Sequence, residues 1–138
     1  MKWVLLLVVA LLAAACGTSA LALEVGDCFD DPDDFEEVAS VPTADCAEPH
    51  DNEVYAVFDH GSADDAYPGD SDLQQAAATG CHDRFEAFVG YPYADSEIDF
   101  GAFWPSPSTW EDGDRAIVCL ASEVDLSKVE GSLAGVGR

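Results

Sequence analysis

Hydrophobic and polar positions along the chain alternate in three distinct ways. Residues 3–15 are an unbroken apolar run. In residues 71–90, "SDLQQAAATGCHDRFEAFVG", the apolar positions Leu73, Ala77, Cys81, Phe85 and Phe88 recur at three- and four-residue steps. That period predicts a helix with one buried face that includes Cys81. Ser71 or Asp72 is placed to cap it, Asp72 also suits the positive end, and Gly90 can end it. Gly80 weakens the helix but permits close packing on a sheet. The segments "EVYAVFD" and "RAIVCLASEV" read as strands, with "IDFGAFW" as a third. Shorter segments at residues 25–29 and 37–41 are expected to pair with one another, and "EDGD" before Arg115 carries the Asp-Gly dipeptide of a tight hairpin. Together these predict an α+β fold: a small disulfide-stabilised domain with one main helix packed on a mainly antiparallel sheet.

The opening apolar run is too short to cross a hydrocarbon layer but suits the core of a signal peptide. Small residues Ala13, Ala14 and Ala15 follow, then Cys16, then Gly17-Thr18-Ser19. This resembles the bacterial lipobox, in which the cysteine thiol is acylated and becomes the new N-terminus. Ala13 stands where the usual pattern has Leu, and Leu12 lies one position earlier. Five cysteines leave one odd in an oxidising compartment, and Cys16 is the natural odd one. The expected organisation is a lipoprotein signal peptide at 1–15, a short linker at 16–23 after lipidated Cys16, and a domain at 24–138. The protein is then held on the extracytoplasmic face of the cell membrane by palmitate-type acyl chains. Two alternatives stay open: cleavage after Ala-x-Ala without lipid, or retention of uncharged residues 3–23 as an anchor.

Charge narrows the partners. Five basic side chains face 28 acidic ones, a net charge of −23. Such a surface repels nucleic acid and anionic lipid headgroups, so no nucleic-acid partner is expected. About half the chain is hydrophobic and a tenth aromatic, enough for a core despite the acids. The runs "DDPDDFEEV" and "DHGSADDAYPGDSD" read as solvated loops. The second lacks the ligand spacing and closing Glu of an EF-hand, and neither a metal nor a cofactor is expected.

Cys28, Cys46, Cys81 and Cys119 have no zinc-finger spacing, and export favours two disulfides. Spacing alone permits three pairings. On the coarse fold, Cys28 and Cys46 staple the N-terminal strands, while Cys81 on the inner face of the helix meets Cys119 on a strand beneath it.

Residues with chemical potential are few. His50, Asp51 and Glu53 precede a strand, where they are candidate metal ligands or a base held by a carboxylate. The plainer reading is a turn in which the His50 imidazole bonds a nearby carbonyl or carboxylate. His60 lies beside the acidic loop and His82 off the apolar helix face, and no spacing requires the three histidines to converge. The nucleophile elbow, zinc-protease and phosphate-loop motifs are absent, and no catalytic residue is assigned. In "WPSPSTWEDGDRAIVC", Pro105 and Pro107 stiffen a loop between Trp104 and Trp110. Trp110 and Arg115 are candidate binding residues with His50 and Asp51. The plainer reading pairs Arg115 with an internal acid and stacks it on Trp110.

The motifs "VGDCFDD", "DCAEPHDNEVYAVFD", "YPGD", "CHDRFEAFVG", "WEDGDRAIVC" and "GSLAG" occur in this order over residues 23–138. They resemble the septum formation family, domains of membrane-linked and exported actinobacterial proteins. The resemblance implies an extracytoplasmic domain associated with septum formation and carries over no catalytic residue. The resulting expectation is a non-enzymatic, lipid-anchored domain that binds a protein or cell-wall component in envelope growth or division. Two alternatives are a metal-dependent hydrolase using His50 with Asp51 or Glu53, and an acidic structural spacer at the cell surface.

Overall fold

The computed structural model describes residues 18–33, 39–62 and 65–138. The expected signal peptide and Cys16 lie outside them, as do residues 34–38 of the first acidic run and residues 63–64 of the second. In chain order the strands are β1 (Thr18–Ser19), β2 (Cys28–Phe29), β3 (Ser40–Val41), β4 (Thr43–Ala44), β5 (Asn52–Asp59), β6 (Ile98–Phe103) and β7 (Ala116–Glu123). The helices are α1 (Asp70–Val89), between β5 and β6, and α2 (Pro107–Glu111), between β6 and β7. Five strands form one antiparallel sheet in the order β4-β2-β5-β7-β6, and β1 pairs with β3 apart from it.

Helix α1 lies on one face of the sheet. Its inward residues Leu73, Ala77, Cys81, Phe85 and Val89 are buried at the spacing of a helical stripe. Ala77, Cys81, Phe85 and Val89 share a core with Tyr55 and Ala56 of β5 and Ile117, Cys119 and Ala121 of β7. Val89 fills the fully buried position at the helix end, and Phe88 packs from the side. Capping differs from expectation. Gly69 is the N-cap and makes no side-chain bond, while Asp70 and Asp72 both sit in the first turn and favour the helix dipole without closing it. Gly90 ends the helix in the left-handed conformation at φ 77°. Gly80 leaves room for a strand side chain: a Cβ there would meet the Phe58 ring at 2.2 Å. Arg84, one turn on, lies over the outer side of that ring at 4.3 Å.

Strand alternation sends Val118 and Leu120 to the opposite face, where Val54, Phe29, Val41 and Leu23 form a second core. Chain from the N-terminal side covers this face. Thr18 and Ser19 pair with Val41 and Ser40, Ala20 donates its N–H to the Ala39 carbonyl at 3.2 Å, and Gly26 donates to Val54 at 2.8 Å. The segment expected as a linker is therefore folded from Thr18 onward. The short strands also pair differently from expectation. Residues 28–29 bond β4 and β5, and residues 40–41 bond β1, because covering the second core requires the early chain to lie across it. The Asp-Gly turn is not a tight hairpin either. Gly113, at φ 96°, follows the end of α2, which occupies the β6–β7 connection.

Among the described residues four cysteines form two disulfides, Cys28 to Cys46 and Cys81 to Cys119. The second ties the buried stripe of α1 to the middle of β7, and both its half-cystines are fully buried. It closes a loop with a sequence separation of 38. Replacing Cys81 and Cys119 together by alanine is expected to remove about 4 kcal/mol of loop-entropy stabilisation, lowering the thermal midpoint on the order of 10 °C. A change of a degree or two would show that helix and sheet hold together without the bond.

Candidate functional site

The distinctive loop after β6 is built by α2. Ser106 caps this helix by accepting from the Thr109 amide at 3.2 Å, Thr109 Oγ1 accepts from the Ser106 amide at 3.0 Å, and Pro107 begins the first turn. The reciprocal cap fixes a five-residue helix too short to be stable alone. Trp110 then points inward, 1% exposed, with its indole N–H donating to the Asp65 carbonyl at 2.8 Å. His60 and Tyr67 meet it edge-on. Burial and then a hydrogen bond to Asp70 push the Tyr67 phenol up to about 12, so it stays a donor at neutral pH.

Arg115 returns to the same tryptophan. Its guanidinium lies 3.7 Å from the indole ring centre, and Nη1 donates to the carbonyls of Trp110 and Asp114 at 2.8 and 2.7 Å. The internal role expected for Arg115 is thus filled by carbonyls and a ring rather than by an acid. Trp110 and Arg115 form a brace, and neither lines the adjoining surface.

That surface is an open cleft of about 820 Å³. Trp104, Pro105, Ser106 and Ser108 form one wall, and residues 19–21 of the early chain form another. Trp104 remains 37% exposed. Asp114, at the edge, accepts from the Ala116 amide through Oδ1, while its Oδ2 is buried without a hydrogen-bond partner. Trp104 and the serines were not singled out by sequence. Their signal was the Trp-Pro-Ser-Pro run, whose prolines hold an aromatic side chain away from the core.

The second assembly contains His50 and Glu53. Cys28 and Glu53 are directly opposed between β2 and β5, so their side chains share a face. Residues 129–133 close over them. His50 and Val129 exchange backbone hydrogen bonds at 3.0 and 2.9 Å, and Gly131 donates to the Cys46 carbonyl at 2.6 Å. Ser132 Oγ and the Leu133 amide donate to the Glu53 carboxylate at 2.7 and 2.6 Å. His50 is fully buried, and its Nδ1 lies 2.8 Å from the Glu48 carbonyl, which makes Nδ1 the protonated nitrogen. Nε2 is buried with no hydrogen-bond partner. A His50 nitrogen, the Cys28 sulfur and a Glu53 oxygen lie within 4.8 Å of one another. With Cys28 held in its disulfide, only His50 and Glu53 retain lone pairs suited to a metal.

Asp51 does not join this group. It bonds Lys128 Nζ at 2.8 Å and the Asp31 amide at 3.0 Å, and Lys128 also reaches Asp30 at 2.5 Å. Burial raises the Asp51 carboxyl, but the Lys128 hydrogen bond, the Asp31 amide and the Lys128 charge outweigh it and hold it below its usual 3.8. A depressed folded value means that Asp51 adds stability above pH 3.8 and loses it as the pH falls through the lower folded value. His60 pairs with Asp72 at 3.2 Å, while His82 lies beside Asp83 and edge-on to Tyr93. The three histidines thus have three separate sets of partners.

The profile of the septum formation family matches residues 25–136, which include all five sheet strands, the loop from Trp104 to Arg115 and the His50 cluster but not the cleft wall at residues 19–21. The chain belongs to the septum formation family. Membership supports a role in envelope or septum processes. Comparison with curated proteins and with solved structures finds no match. No helix among the described residues is long and apolar enough to cross a membrane.

Arg115→Lys tests the brace, since an ammonium cannot stack flat on the indole while bonding both carbonyls. It is expected to lower stability by about 1–2 kcal/mol, read as a fall of several degrees in thermal unfolding. Unchanged unfolding would free Arg115 from this structural role.

Proposed function

We propose that the protein is a lipid-anchored, non-enzymatic domain on the extracytoplasmic face of the cell membrane. It binds a protein or cell-wall component of the growing envelope or septum through the cleft beside Trp104. The observation that carries this reading is the composition of the cleft. One wall is aromatic and hydroxyl-bearing, and another is made of residues 19–21, three positions after the expected acylated cysteine. Anchor and binding surface thus share one short length of chain, so a tethered domain holds the cleft close to the membrane plane. The exposed indole and nearby prolines give rigid apolar contact, and the serines orient a polar ligand.

The reading through His50 as a hydrolase is weaker. A catalytic metal needs an open coordination position, whereas His50 is fully buried and Glu53 is 3% exposed beneath residues 129–133. Asp51, the other carboxylate considered there, is engaged by Lys128.

The test places a photoreactive residue at Ser108, in the cleft, or at Ser127, exposed and outside it, in full-length protein made in its own cells. Crosslinked products and the N-terminal peptide are then read by mass spectrometry. The expected result is an envelope component captured from Ser108 but not Ser127, with acyl mass on Cys16. Equal labelling from both positions would remove the cleft from the proposal, and a free Cys16 thiol would remove the anchor.

A further inference from the structure

We propose that the cluster beneath residues 129–133 is a latent zinc site, formed by Cys28, His50 and Glu53 when the Cys28 to Cys46 disulfide is reduced. The site is separate from the cleft and from the binding role assigned to it. Its chemistry begins with His50. A buried imidazole nitrogen with no partner is costly, and Nε2 is in that position. The other nitrogen is fixed by the Glu48 carbonyl, an arrangement that sets the tautomer and aims a free lone pair at Nε2. Metal-binding histidines have this same outer contact.

The other two donors are equally constrained. Strand register places the Cys28 and Glu53 side chains on the same face, and donor atoms from all three residues fall within 4.8 Å of one another. Ser132 and Leu133 already orient the Glu53 carboxylate. Sulfur, imidazole and carboxylate are all donors that zinc takes, whereas calcium and magnesium take oxygen alone. Cys46, bonded to Cys28 in the oxidised state, supplies the fourth ligand.

The switch requires a dithiol reductant. Its thiolate attacks the sulfur of Cys46, the partly exposed partner of buried Cys28, the disulfide breaks, and Cys28 leaves as a thiolate. The second thiol of the reductant then closes its own disulfide and releases Cys46. Two electrons pass to the protein sulfurs, and the two protons of the dithiol go to solvent as Zn²⁺ takes both thiolates.

Co²⁺ is a direct probe, because thiolate ligation gives a charge-transfer band in the near ultraviolet. Cys46→Ser frees the Cys28 thiol without reductant and leaves the Cys81 to Cys119 bond intact. This variant is expected to bind one equivalent of Co²⁺ with that band, and Zn²⁺ should displace it. Adding His50→Gln or Glu53→Gln should weaken binding roughly tenfold or more, while Asp51→Asn should leave it unchanged. If Cys46→Ser does not fold, wild-type protein treated with a phosphine reductant is titrated instead. No charge-transfer band in either folded form, or a band insensitive to both His50→Gln and Glu53→Gln, would overturn the proposal.

Discussion

The central strands β5 and β7 are buried on both faces, and the rest of the fold answers that constraint. A sheet solvated on one side needs only α1 to cover the other. Here Val54, Val118 and Leu120 face away from α1 and are as shielded as the residues beneath it. Their cover is Leu23 before β2, Phe29 on β2 and Val41 on β3. The two disulfides fit this plan. One fastens α1 to its face, and the other closes the turn where β2, β4 and the C-terminal segment meet.

Covering the second face has a functional consequence. Residues 19–21 come to lie beside the loop that carries Trp104, so the cleft is walled by chain that continues directly toward Cys16. Trp110 and Arg115 hold the loop from within, while Trp104, Ser106 and Ser108 line the cleft. The excess of acid has little part in the site itself. Among the described residues, the acids with ion-pair partners are few, and the cleft edge carries only Asp70 and Asp114.

Sequence periodicity revealed the large elements well. The α1 stripe and the three long strands follow from spacing, because each reflects a face that must be buried, and the meeting of Cys81 with Cys119 follows from packing that stripe on a strand. What could not be read were the two-residue strands. Their pairing is set by which core needs covering, a tertiary demand that leaves no period in so short a segment. The same holds for the sites. Trp110 and Arg115 stood out by residue type and proved to be a brace, whereas Trp104 is distinguished by exposure, which a sequence does not display. His50 and Glu53 were visible as neighbours. Their third companion, Cys28, comes from strand register, and the cover over them comes from residues far along the chain.

Amide hydrogen exchange along the early segment tests this account most directly. If the segment is an integral cover of the second core, the N–H groups of Ala20 and Gly26, bonded to Ala39 and Val54, exchange nearly as slowly as those of β5 and β7. Exchange of both at the rate of an unfolded peptide, with β5 and β7 still protected, would contradict it. The early chain would then be a loose tether, and the cleft would lose one of its walls.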